Sequence, residues 1–386
     1  MPKSNRFPSM AKERVLFMKI AMIGHKRVPS REGGIEIVVG ELSKGMVQRG
    51  CHVDIYNRWE PMDRKKEKMP KVYKGARLIR IPTLKKRAFN AVVYSFFATV
   101  RAILGKYDVI HYHAEGPCAM MWIPKLFGIP VVATIHGMDW KRAKWGGFAS
   151  KYILMGERIA AKKADEVIVL SRQCESYFKN TYGRDVCLIQ NGITVRPQKK
   201  AKLIKEKFGL EEREYILYLG RIVPEKGIHY LLEAFRKICT QKKLVIAGSV
   251  EYKDLYVQEI CEQAKKDSRV IMTGFVQGTI LEELYSNCSV YVLPSDVEGM
   301  AISLLEAMSY GARCLLSDIP ENKETAGNFA TYFEKGNVKN LRKHLEQLLK
   351  IEDFSAEEQI DFVKRQYRWD KVIDKTIHSY ERAIDS

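Results

Sequence analysis

The stretch SVYVLPSDVEGMAISLLE, residues 289–306, decides how the chain is read. Its apolar head, Ser289–Pro294, has the length and composition of a buried parallel strand, and Ile302–Tyr310 has the period of a helix. Glu298 then falls in the strand-to-helix loop, and Glu306 lies about two turns further on, in or near the first half of the helix. Open parallel sheets bind ligands at that mouth. Two carboxylates so spaced can grip two hydroxylated parts of one ligand, such as a sugar and a ribose. A solvated loop glutamate followed by a helix-capping glutamate would read the same way.

The same strand-then-helix rhythm runs outward in both directions. KIAMIG, VDIYN, ARLIRIP, DVIHYH, PVVATIH, EVIVLS and CLIQN read as seven strands of a first sheet. YILYLG, KLVIAG, VIMTG, SVYVLP, CLLSD and ATYFE read as six strands of a second. Helical segments separate them, among them 35–49, 156–163, 227–240 and 255–266. Alternating βα units imply parallel sheets with helices on both faces, so the expected class is α/β with two Rossmann-like domains facing across a cleft. The expected boundaries are an N-terminal extension at 1–17, a first domain at 18–195 and a basic linker at 196–205. A second domain at 206–367 and a terminal helix within 368–386, packing back on the first domain, complete the plan.

The 386 residues carry a net charge of +19, and it is unevenly placed. Residues 1–200 hold 38 Lys/Arg against 16 Asp/Glu, whereas residues 201–386 hold 27 against 30. A basic first half suggests an anionic partner: nucleic acid, anionic lipid or a phosphorylated substrate. A nucleic-acid reading explains the charge but finds no recognisable module or aromatic-basic platform. The longest apolar run, Ala91–Val100, is too short for a span, yet AVVYSFFATV between basic clusters could lie on an anionic bilayer. A core helix is the alternative, and one face of each kind satisfies both. Eight singly scattered cysteines without a C-x-x-C fit a reducing, cytosolic setting. Residues 1–17 lack the apolar core of a signal peptide.

Other candidate residues stand at strand ends. Gly33 and Gly34 precede a helix beginning near Ile35, where glycines admit a ligand to backbone N–H groups. The pattern is not G-x-G-x-x-G, which argues against a nicotinamide dehydrogenase. Arg221 follows YILYLG directly and Lys226 lies five residues on, so a fork and a point charge can converge on one anion. Pairing with Glu225 or Glu233 is the plain alternative. His136 ends PVVATIH beside Gly137 and can reach a ligand, or simply bond at a sheet edge. His111 and His113 read as structural.

Taken together, these residues resemble a family 4 glycosyltransferase of the GT-B fold. The resemblance covers Met18 to about Asp370 and rests on Gly33–Glu36, Thr134–Gly137, Gly220–Arg221 with Lys226–Gly227, and the Glu298–Glu306 motif. MIGHKRVPSREGGIE and HGMDWKRAKW further resemble a bacterial subset of rhamnosyltransferases of surface polysaccharide assembly. The resemblance implies that Arg221 and Lys226 hold the donor's diphosphate, that Glu306 accepts from ribose, and that Glu298 and His136 face the donor sugar. Gly34 would sit near the phosphates or the acceptor, and Gly299, Met300 and Ala301 would line the donor site. Gly33, Glu36, Asp139, Lys141 and Arg142 would lie on the acceptor side. The family often has glycine where this chain has Ala301, which bears on sugar identity more than on the reaction. Retention of configuration is implied too, with a nucleotide-diphosphate sugar as donor and a lipid-linked glycan as acceptor, at the cytoplasmic membrane face. No D-x-D occurs, so arginine, lysine and helix dipoles would neutralise the leaving group without a divalent metal or other cofactor. A GT-B sugar-nucleotide epimerase or phosphorylase would share the fold and diphosphate site, and product analysis separates it.

Overall fold

The computed structural model describes residues 17–59, 70–84, 87–138, 140, 147–250, 254–351 and 353–386. The chain forms two compact units. The first runs to Gln190 and takes up the last helix, and the second is Asn191–Arg368.

Among the described residues the first unit has strands at Lys19–Ile23 (β1), His52–Trp59 (β2), Val72–Tyr73 (β3), Ala76–Pro82 (β4), Val109–His113 (β5), Val131–Ile135 (β6), Glu166–Val169 (β7) and Cys187–Leu188 (β8). They form one sheet in the order β3-β4-β2-β1-β5-β6-β7-β8. Every pairing is parallel except that of β3 with β4. In the centre Ile20 stands opposite Val53 on one side and Val109 on the other. β5 and β6 are buried along their whole lengths, as strands covered on both faces by crossover helices must be.

The second unit has strands at Tyr215–Leu219 (β9), Lys243–Ala247 (β10), Val270–Gly274 (β11), Val290–Leu293 (β12), Cys314–Ser317 (β13) and Ala330–Phe333 (β14). Their order is β11-β10-β9-β12-β13-β14, all parallel. The chain leaves β9 toward one edge and returns through β12 toward the other. The gap between the C-terminal ends of β9 and β12 is therefore a topological switch point, where open α/β sheets bind ligands.

Two details go beyond the sequence reading, and a third falls within it. β3 is an added antiparallel edge strand of two residues. The basic stretch 196–205, read as a linker, is tied to the acidic helix Thr279–Asn287. Arg196 pairs with Glu282 at 2.8 Å, and the Lys202 and Ile204 N–H groups both donate to Glu283, each at 3.0 Å. Opposite charge supplies the reason. The helix Arg87–Ile103 has one face of each kind, as the sequence allowed: Tyr94 turns inward and is fully buried while Phe96 and Phe97 face out.

The last helix, Trp369–Asp385, completes the first unit. It lies on the helix Gly34–Gln48, with Ile373 seated over Gly45. Arg49 bonds Asp374 at 2.7 Å, and Arg382 bonds Glu166 at 2.9 Å. Among the described residues no helix is long and apolar enough to cross a membrane.

Candidate active site

Two loops meet at the switch point. From β9 the chain passes Gly220 and Arg221, makes a short turn at Pro224–Lys226, and enters the helix Ile228–Arg236 through Gly227. Tyr218, buried in the sheet, donates from its hydroxyl to the Arg221 carbonyl at 2.9 Å and so fixes where that arginine leaves the strand. Gly227 has φ +66°, and a Cβ there would stand 2.0 Å from the Pro294 carbonyl oxygen in the loop after β12. Only glycine allows that approach. The Asp296 N–H donates to the Glu225 carbonyl at 2.9 Å and zips the two loops together.

This approach places Lys226 Nζ 2.5 Å from Glu298 Oε1, with the side chains only 14% and 7% exposed. Ser295 Oγ donates to the same carboxylate oxygen at 2.6 Å. The Ser295 carbonyl accepts from Ser317 Oγ at 2.5 Å, and the Asn322 amide donates to the Ser317 carbonyl at 3.0 Å. A hydrogen-bonded chain therefore runs from the helix Pro320–Ala326 to Glu298. Arg221 makes no ion pair among the described residues. Burial holds the nearby Asp296 carboxyl above its ordinary range despite a bond from the Tyr230 hydroxyl at 3.3 Å, and the Glu225 charge adds to the rise.

Gly299 and Met300 lead into Ala301, which caps the helix Ile302–Ser309 with extended backbone and no side-chain bond. The helix start thus keeps backbone donors and its partial positive charge for a ligand. Met300 is held by the Asn191 N–H, 3.1 Å from its sulfur. Glu306 stands on the same helix and accepts from the Tyr285 hydroxyl at 3.1 Å. The Tyr285 ring lies flat on Tyr310, with centroids 5.8 Å apart and planes 7° from parallel.

In the first unit, Gly24 follows β1 with φ +123°, and a Cβ there would lie 2.1 Å from the His113 carbonyl oxygen. Gly33 caps the helix Gly34–Gln48. Glu36 folds back so that Oε1 accepts the Lys26 N–H at 2.9 Å, while Oε2 lies where a Gly33 Cβ would be. Glu36 therefore shapes the loop before Gly34. His136 is buried, with Nε2 3.0 Å from Nδ1 of His113. The His113 ring in turn lies 4.1 Å from that of His111, whose Nδ1 and Nε2 bond the Tyr380 hydroxyl and Thr134 Oγ1, each at 2.7 Å. Burial pushes His25 down to about 4 and His111 to about 3, and takes His113 well below its ordinary value. These three rings are neutral at pH 7. Asp139, Lys141 and Arg142 lie outside the described residues. Between them the Trp140 indole donates at 3.0 Å to Glu157, a buried carboxylate that also accepts from Tyr177 at 2.8 Å and Tyr182 at 2.6 Å.

Residues 32–196 match the family described as Glycosyltransferase Family 4, and residues 200–369 match that described as Glycosyl transferases group 1. The chain belongs to the glycosyltransferases of the GT-B fold. An uncharacterised glycosyltransferase of Methanocaldococcus jannaschii is 27% identical over 95% of this chain and 99% of its own length. The O-antigen chain mannosyltransferase B of Escherichia coli is 24% identical over 46% of this chain and 48% of its own. Among solved structures, sucrose-phosphate synthase from Thermosynechococcus elongatus superposes with a TM-score of 0.82 at 21% identity, covering 95% of this chain and 98% of that one. Anabaena HepE in complex with UDP-glucose gives 0.73 at 16% identity, covering 94% and 100%.

This glycosyltransferase thus brings Arg221, Lys226, Glu298, Ser295 and the start of the helix Ile302–Ser309 to one end of one sheet. Glu306 follows on the same helix. Two cations, uncapped backbone donors and two carboxylates can bind an anion flanked by hydroxyl groups. Ser295 and Tyr285 were not singled out from the sequence, and His113 was read there as structural. Of the first two, only Ser295 carried a usable signal, as the first hydroxyl after the strand and three residues before Glu298.

Proposed function

We propose that the chain is a retaining, metal-independent transferase that moves a sugar from a nucleotide-diphosphate donor to a lipid-carried glycan. The sugar is rhamnose or another hexose, and the work belongs to cell-surface polysaccharide assembly on the cytoplasmic face of the membrane. One observation carries the reading: Lys226 and Glu298 meet at the switch point beside an Arg221 that makes no ion pair among the described residues. A diphosphate takes the place of the carboxylate on Lys226 and also engages Arg221, and the freed Glu298 accepts from the donor sugar. Glu306 accepts from the ribose, and His136 bonds the donor sugar. The acceptor hydroxyl attacks the anomeric carbon on the face from which the diphosphate departs. The new C–O bond forms as the old one breaks, and the leaving phosphate oxygen takes the acceptor's proton. Arg221, Lys226 and the helix start stabilise that departing charge, the role a metal plays elsewhere. The O-antigen mannosyltransferase relative and the UDP-glucose complex of HepE support the polysaccharide setting and the donor class.

The test is a thermal-shift series with UDP, dTDP, GDP and ADP in EDTA, on wild type and Glu306→Ala. At 100 times its Kd a nucleotide adds about 2.7 kcal/mol and raises the melting point by several degrees. A shift with one base, lost in Glu306→Ala, is expected. No shift with any of the four defeats the reading.

A further inference from the structure

The helix Arg87–Ile103 gives one face to the core and leaves the other bare. Tyr94, Ala98 and Ala102 are fully buried, and the Tyr94 hydroxyl donates to the Tyr56 carbonyl at 2.5 Å. Phe96, Phe97 and Val100 are exposed, as is Leu104 just beyond the helix. Spacings of three, four and seven put them in one stripe. The rings of Phe96 and Phe97 stand edge to face, 5.5 Å apart. The short helix Trp122–Lys125 touches this helix, and Trp122, Leu126 and Phe127 around it are exposed as well. Single exposed apolar residues are ordinary, but a cluster of this size marks a surface that meets something.

Charge selects the partner. Residues 84–130 contain Lys85, Lys86, Arg87, Arg101, Lys106 and Lys125, against only Asp108 and Glu115 among acids. Glu115 is buried, and Lys125 is occupied by Asp165 at 2.6 Å. Arg101 and Lys106 stand exposed on and just after the helix that carries the stripe. A second copy of the chain would bring this positive charge against itself. Residues 1–16 would do the same, since they hold Lys3, Arg6, Lys12 and Arg14 against Glu13. An anionic bilayer neutralises the cations and takes aromatic and aliphatic side chains at its headgroup boundary.

We propose that this two-element patch docks the chain on anionic lipid without spanning the bilayer. The proposal rests on the membrane part of the proposed function and names the surface that serves it. The transfer chemistry does not depend on it.

The test is flotation of the full chain with vesicles of phosphatidylcholine, with and without a minority of phosphatidylglycerol. Wild type should float with the anionic vesicles alone, and less at high salt. Phe97→Ser combined with Leu126→Ser should lower the bound-to-free ratio about tenfold or more, and Arg101→Glu should lower it at low salt. Each variant should keep the nucleotide-induced thermal shift of wild type, which shows the fold and donor site intact. Variants that float as wild type does, or a wild type indifferent to phosphatidylglycerol, overturn the proposal. So does a lipid-free dimer that the double variant dissolves, which would give the patch to a second copy. Flotation without any nucleotide shift would sink the transferase reading and leave the docking surface standing.

Discussion

Lys226 and Glu298 neutralise each other through a 2.5 Å contact that is largely closed to solvent. A diphosphate must therefore compete with a carboxylate for this ammonium, and removing the carboxylate's charge separates binding from turnover. In Glu298→Gln the bare nucleoside diphosphate should bind about tenfold tighter, because Lys226 is released. Turnover should fall by about 100-fold or more, as for loss of a transition-state contact. Calorimetric titration beside steady-state rates checks both. Unchanged or weaker diphosphate binding would show that the pair does not compete.

Gly227 is the hinge on which that contact depends. Its φ of +66° and the 2.0 Å separation between a would-be Cβ and the Pro294 oxygen leave no room for a methyl. Gly227→Ala should cost about 2–4 kcal/mol in urea unfolding and weaken nucleotide binding with it. A loss under about 0.5 kcal/mol would mean the loops part without penalty.

The buried histidines make a pH prediction of definite sign. In the unfolded chain each titrates near its ordinary value of 6.5, whereas in the fold His25 and His111 stay neutral down to about 4 and about 3. Below pH 6.5 the unfolded chain binds more protons, so stability is full above that pH and falls as pH drops toward these values. Each such histidine contributes about 1.4 kcal/mol per pH unit between pH 6 and its folded value. The melting temperature should fall steeply from pH 7 to pH 5. A flat profile would show that these rings protonate within the fold.

The final helix offers two unequal anchors. Tyr380→Phe strands Nδ1 of the fully buried His111 and should cost about 1–3 kcal/mol. Asp374→Asn removes an exposed pair with Arg49 and should cost no more than about 1 kcal/mol. Urea midpoints of the two variants rank them, and the reverse order would refute the assignment of the hydroxyl as the stronger anchor.

Strands such as KLVIA and VVATI were legible because burial on both faces demands unbroken apolar runs, and their βα alternation gave the parallel sheets. Val72–Tyr73 was not, since a two-residue edge strand has no period to read. Basic composition marked 196–205 as a linker, but what it packs on depended on Glu282 and Glu283, remote in sequence. At the site, the nearness of Arg221, Lys226, Glu298 and Glu306 followed from two strands that share the sheet's centre. That Lys226 pairs with Glu298 rather than with Glu225 or Glu233 did not, because it hangs on one close backbone approach at Gly227. The bond from His113 to His136 was equally hidden, since it joins the ends of neighbouring strands β5 and β6. Tyr94 and Phe97 looked alike in the apolar run, and only the packing of the helix told them apart.

Because the helix Trp369–Asp385 belongs with β1–β8, the order of synthesis differs from the order of completion. A ribosome delivers all of Asn191–Arg368 before the residues that cover His111 and the helix Gly34–Gln48 exist. Among the described residues the unit made second is contiguous and can fold first, while the one begun first waits half-clothed, in need of whatever shields nascent apolar surface. A frameshift within the codons for Trp369–Asp385 would damage the unit that holds β1–β8 and spare the one that holds β9–β14.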